Sequence, residues 1–146
     1  MRALADGEAF ARGDATKVSA APRTPKTRRI LVAYDGTPSA RRALQRAAAM
    51  HREGDDVSVI HVVNHGEDHD GHLEEARSLL AERGIEAAPI EAAGNPARAI
   101  CVTAERDGYD TIVVGRRNRR DAGLLLLGSV AARVVSGAAC DVVVVA

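Results

Sequence analysis

The stretch RILVAYDGTPSARRAL, residues 29–44, decides the fold. Its first half, Arg29 to Tyr34, is a short β-branched and aliphatic run that stops at Asp35-Gly36, a common turn pair. Its second half opens on Pro38-Ser39. Proline fits a first helical turn because its missing N–H would have no acceptor there anyway. A helix over Ala40 to His51 follows, with Leu44, Ala47 and Ala48 on its buried face and Arg41, Arg42 and Arg46 elsewhere. A strand, a tight turn and a helix within so few residues predict the first part of a βαβ unit.

Toward the C-terminus the same unit recurs. Val57 to Val63 reads as a second strand, followed by a polar, His-rich loop and a helix over about Leu73 to Arg83 that Gly84 stops. Ile85 to Ile90 is a weaker third strand. Asn95-Pro96 caps and starts a third helix, Ala97 to Arg106, with Ile100 and Val102 as expected core contacts and Gly108 as its close. Asp110 to Gly115 is a fourth strand, Val130 to Ser136 a fourth helix opened by Gly128-Ser129, and Val142 to Val145 a fifth strand. Strands of continuous apolar character separated by helices mean a parallel sheet covered on both faces. With right-handed crossovers, the predicted class is α/β: a single, doubly wound, Rossmann-like five-stranded parallel sheet of order 3-2-1-4-5. Its switch point lies between strands 1 and 4, and ligands in such sheets bind beyond the carboxyl ends of the strands there. The segments to watch are Ala33 to Pro38 and the chain from Gly115 onward.

Toward the N-terminus the pattern breaks. Residues 1–28 hold Pro22, Pro25, Gly7 and Gly13 and few large apolar side chains (Leu4, Phe10, Val18), so they are expected to form a disordered extension before one domain over 29–146. They contain no apolar block long enough for a signal peptide. Lys+Arg and Asp+Glu are equal at 20 each and aromatics make up 2%. That balance argues against a nucleic-acid partner, which would need a basic field and stacking side chains. No apolar run approaches the roughly 18 residues of a membrane span, so no membrane partner is expected. Cys101 and Cys140 stand in no metal or redox spacing and read as small buried thiols of a reducing, cytoplasmic compartment.

After the fourth strand the chain runs GRRNRRDAGLLLLGSV, Gly115 to Val130. Gly115 lets the backbone approach a ligand closely, and Asn118 tolerates the left-handed conformation of a tight loop. Gly128, Ser129 and Val130 would present free N–H groups and a hydroxyl at a helix N-terminus, an anion site by geometry and dipole. Arg116, Arg117, Arg119 and Arg120 add positive charge. Gly123 to Ser129 has the glycine spacing of a P-loop but no lysine, since both lysines, Lys17 and Lys26, precede the domain. His61, His65, His69 and His72, interspersed with Glu67, Asp68 and Asp70, read as strand end and solvated loop rather than as a metal site. No catalytic triad or carboxylate pair can be assigned.

Together, ILVAYDGTPSARRAL, His61-Val62-Val63, the GNP at 94–96, and Gly115-x2-Asn118-x9-Gly128-Ser129 resemble the universal stress protein family over Ile30 to Val145. The family's nucleotide-binding members carry G-x2-G-x9-G-[S/T] after strand 4; here Asn118 stands at the second glycine. The resemblance implies ATP, with or without Mg2+, at the carboxyl edge of the sheet. It implies that Asp35 faces the adenosine part, that Ala33 and Val62 line the adenine slot, and that Gly115, Arg116, Arg117 and Asn118 wrap ribose and phosphates. Gly128, Ser129 and Val130 would hold the phosphates. It further implies a regulatory module of the stress response. Any hydrolysis would be slow, because neither a general base nor a P-loop lysine is placed to drive it. Two other readings stay open: a nucleotide-free homodimeric interaction module, and a weak ATPase. The same residues also have plainer roles, Asp35 in a turn and Ser129 as a helix cap. A homodimer is expected through strand 5, because Val142, Val143, Val144 and Val145 form a short aliphatic strand at a sheet edge.

Overall fold

Strand and helix alternate throughout a computed structural model that describes residues 27–63, 71–117 and 127–146. The elements are β1 (Arg29–Ala33), α1 (Pro38–Met50), β2 (Asp56–Val63), α2 (His72–Ala81), β3 (Ala87–Ala93), α3 (Pro96–Arg106), β4 (Thr111–Gly115), α4 (Ser129–Gly137) and β5 (Asp141–Val145). The strands form one sheet of order β3-β2-β1-β4-β5, every pair parallel. This is the predicted architecture. The N-terminal residues 1–26 and the His-rich stretch 64–70 lie outside the described residues, as do Asn118 and the rest of 118–126.

Period-two alternation along the strands divides the core in two. Ile30, Val32, Val57, Val59 and Val113 face α1 and α2, where Ala43, Leu44, Ala47, Ala76 and Leu80 meet them. Leu31, Ile60, Ile112 and Val114 face α3 and α4, against Ala97, Ile100, Ala104, Ala131 and Val134. Each fully buried Val, Leu or Ile contributes about 1.5–3 kcal/mol relative to exposure, so the two layers are mainly aliphatic, with one buried tyrosine in each, Tyr34 and Tyr109. Two helices start on side-chain caps. Thr37 Oγ1 accepts from the Ala40 N–H at 3.1 Å, and Asn95 Oδ1 from the Arg98 N–H at 3.0 Å. Below the sheet, Arg28 donates to Asp55 Oδ2 through Nε at 3.2 Å and through its terminal nitrogen at 2.6 Å. The Arg28 guanidinium holds the Asp55 carboxyl below the usual carboxylate range.

Two details differ from the expectations. The third strand starts at Ala87 rather than Ile85 and runs on to Ala93. Ile85 instead completes the C-terminal closure of α2. Gly84 takes a left-handed conformation (φ 76°), the Ile85 N–H returns to the Leu80 carbonyl at 3.0 Å, and both side chains are buried in one cluster. Val102 is 46% exposed, not a core contact. The buried face of α3 is Ala97, Ile100, Thr103 and Ala104, and a position two residues from Ile100 points roughly 200° away around the helix.

The two sheet edges are unlike each other. Along β3, Pro89 removes a donor that a neighbouring strand would use, and Arg77 Nε covers the Ala87 carbonyl at 3.2 Å. Along β5, Val142 to Val145 are half-buried, with Val142 and Val144 packed on one core cluster and Val143 and Val145 on the other. The free thiols Cys101 and Cys140 are also half-buried, and burial pushes Cys140 up to about 11. Among the described residues no helix is long and apolar enough to cross a membrane.

Candidate functional site at the carboxyl edge of the sheet

Three loops leave the carboxyl ends of the central strands. The first follows β1. Asp35 Oδ1 accepts from the Thr37 N–H at 3.1 Å and from the Thr37 hydroxyl at 2.6 Å. The aspartate therefore does make the turn contacts of its plainer reading, which fixes the carboxylate at the head of α1. Its other oxygen, Oδ2, has no hydrogen-bond partner among the described residues.

Beside it, the buried Tyr34 N–H donates to the Ile60 carbonyl at 3.0 Å, and the Tyr34 carbonyl oxygen lies 3.0 Å from Nδ1 of His61. A carbonyl can only accept, so that contact puts a proton on Nδ1. The His72 imidazole, at the start of α2, meets the His61 ring edge-on at 4.9 Å and lies so close to Gly36 that a Cβ there would strike it. The Tyr34 hydroxyl donates to Glu75 at 2.5 Å, and Arg41 donates to the other Glu75 oxygen at 2.6 Å. Burial, then the Glu75 carboxylate, push the Tyr34 phenol up to about 12, so it stays protonated and donating.

The third loop joins β4 to α4. The Arg116 N–H donates to the Val145 carbonyl at 2.7 Å, and the Arg116 carbonyl accepts from the Gly128 N–H at 2.7 Å. The end of β4 and the head of α4 therefore touch, as the candidate site requires. This corrects one expectation: the Gly128 amide is bonded within the protein, not free for an anion. The amides of Val130 and Ala131, in the first turn of α4, have no acceptor inside the helix. Gly128 itself supplies no side-chain cap, and Ser129 follows it as the first helical residue, so it is not the cap. Arg116 Nε is buried without a hydrogen-bond partner among the described residues, a group that would need one.

Besides Asp35 and Ser129, seven of the predicted residues fall into two sets. Ala33, Val62 and Val130 are partly buried against the same core cluster, on the α3 and α4 side of the sheet. Gly115, Arg116, Arg117 and Gly128 meet at the end of β4. Asn118 lies outside the described residues, with His65 and His69. Among the described residues no three potential metal ligands converge. Sequence reasoning missed Ser39. This buried serine in the first turn of α1 accepts from the Arg117 N–H at 3.2 Å, and a Cβ on Gly115 would stand 2.7 Å from the Ser39 carbonyl oxygen. Two small residues far apart in sequence were the available signal, but nothing in the sequence pairs them.

A five-stranded parallel sheet of order β3-β2-β1-β4-β5, covered by helices on both faces, defines a class of doubly wound α/β domains. Within that class the relationship is specific. The model of the universal stress protein family matches residues 26–146, and the chain belongs to this family. A universal stress protein of Thermus aquaticus, encoded in the QAH/OAS sulfhydrylase 3' region, is 35% identical over 132 residues, covering 80% of this chain and 96% of the relative. The structure of a universal stress protein in complex with cAMP is 25% identical with a TM-score of 0.70, covering 82% of this chain and 96% of that one. A family protein of Arabidopsis thaliana with AMP bound shares the fold at 18% identity and a TM-score of 0.63, covering 81% and 90%.

Proposed function

We propose that this chain is an adenine-nucleotide-binding regulatory module that holds ATP at the carboxyl edge of its sheet and acts in a stress response. The observation that carries the reading is the junction of β4 and α4, where Gly128 bonds to Arg116 beside a buried Arg116 Nε with no partner among the described residues. An ATP phosphate would find donors in the amides of Val130 and Ala131, which have no acceptor within α4, beside the Arg116 side chain. Ala33, Val62 and Val130 offer an apolar surface to the adenine, and Asp35 Oδ2 is the acceptor available to the adenosine hydroxyls. Mg2+, where present, would ride on the phosphates with waters completing its shell. Relatives solved with cAMP and with AMP support the ligand class. We read the chemistry as binding, with at most slow hydrolysis of ATP.

The test is direct. Protein purified natively and then denatured should release ATP, ADP or AMP detectable by mass spectrometry. ATP should raise the melting temperature of the wild type and of Asn118→Gly, and less so that of Asp35→Ala. No released nucleotide together with no thermal shift would leave the nucleotide-free module as the reading. Phosphate release above background, abolished by a change in the loop after β4, would make the chain a weak ATPase. A second property is supported independently. The asymmetry of the sheet edges favours a homodimer through β5, whose four consecutive valines lie on the rim that no proline protects.

A further inference from the structure

The first turn of α1 touches both the turn after β1 and the segment after β4. On one side Thr37 binds Asp35 and caps the helix. On the other, Ser39 reaches the loop after β4: its Oγ accepts from the Arg117 N–H, and its main chain lies against Gly115. Ser39 is 6% exposed, and neither Gly115 nor Arg117 is fully covered. The Ser39 hydroxyl is therefore a buried acceptor holding the backbone of a more open loop. Its hydrogen bond is the one side-chain contact described between α1 and Arg117.

We propose that Ser39 is the positioning residue of the candidate cleft. It latches the segment Gly115–Arg117 to the head of α1, so that the phosphate-facing backbone keeps a fixed spacing from Asp35. The mechanism is preorganisation. A loop already held in its bound geometry loses less freedom when a phosphate arrives. Gly115 is the complement of the latch, because any Cβ there would push α1 away from β4. The phosphate part of this inference rests on the nucleotide-binding reading above; the latch itself does not.

The experiment compares wild type with Ser39→Ala in the full chain, with ATP and adenosine as paired probes and amide hydrogen exchange as an independent readout. In the absence of ligand, the Arg117 amide of Ser39→Ala should exchange at least tenfold faster, with Val113 in β4 unchanged. ATP affinity should fall about tenfold, the scale of one lost hydrogen bond, while adenosine affinity, which needs no phosphate contact, holds. A change that merely loosened the fold would weaken both probes alike and speed Val113 as well, and that pattern would overturn the proposal. So would an unchanged ATP-to-adenosine ratio with accelerated Arg117 exchange. If wild type binds neither probe, the nucleotide reading fails, and Arg117 exchange alone decides whether the latch exists. Should Ser39→Ala not fold, Ser39→Cys keeps the side chain's shape with a weaker acceptor and is expected to give the same pattern.

Discussion

At position 115 a methyl group would have to share space with the Ser39 carbonyl, whose oxygen would lie 2.7 Å from it. Backbone on that side cannot rotate away as a side chain could. Gly115→Ala is therefore expected to cost about 1–3 kcal/mol, the range for overpacking a tight contact, read as a lower urea midpoint. Asp55 gives a pH-dependent counterpart. Arg28 and the Arg52 N–H hold its carboxyl below the ordinary value, so the folded state favours the ionised form. Such a group adds stability that is complete above the unfolded value, about 3.9, and disappears as pH falls through the depressed folded value. Asp55→Asn should lower stability by about 1 kcal/mol near pH 7. The gap from wild type should close as pH falls through the depressed folded value, read in the same urea titration.

At the level of the element, the helices show what periodicity can and cannot reveal. Ile100 is 2% exposed and Val102 is 46% exposed, although both read as apolar residues of one helix. Ile100→Ala should cost about 2–5 kcal/mol, whereas Val102→Ala should stay within about 0.5 kcal/mol, a contrast that chemical denaturation measures directly. The strands were legible because each is a short apolar run separated from the next by a helical stretch, and the order of the sheet because right-handed crossovers leave few topologies. The third strand was misread at Ile85 because a helix closure and a strand start look alike locally. Only the left-handed Gly84 and the return bond to Leu80 distinguish them. In the site, Gly115 and the head of α4 were legible through glycine and the helix-start pattern. The partner of Gly115 was not, because Ser39 acts through a tertiary contact that no local spacing encodes. Nor could the sequence reveal that the Gly128 amide binds the Arg116 carbonyl.

For the whole molecule, occupancy and assembly follow from opposite features of the sheet. A ligand at the carboxyl edge would stabilise the fold by mass action, by about 2.7 kcal/mol at a hundred times its dissociation constant. Placing a charge on the β5 rim should act on assembly instead. Val143→Lys is expected to move a dimer toward monomer in sedimentation velocity with its secondary structure retained, because Val143 lies in the middle of that rim. An undiminished dimer would remove β5 from the interface.

The proline in β3 sets the limit of any such assembly. Two copies joined along β5 would make one continuous ten-stranded sheet whose outer margins are both β3, each lacking a donor at Pro89. Growth by edge addition would then terminate after a single round, leaving a closed particle with no propagating end and no route to a fibril.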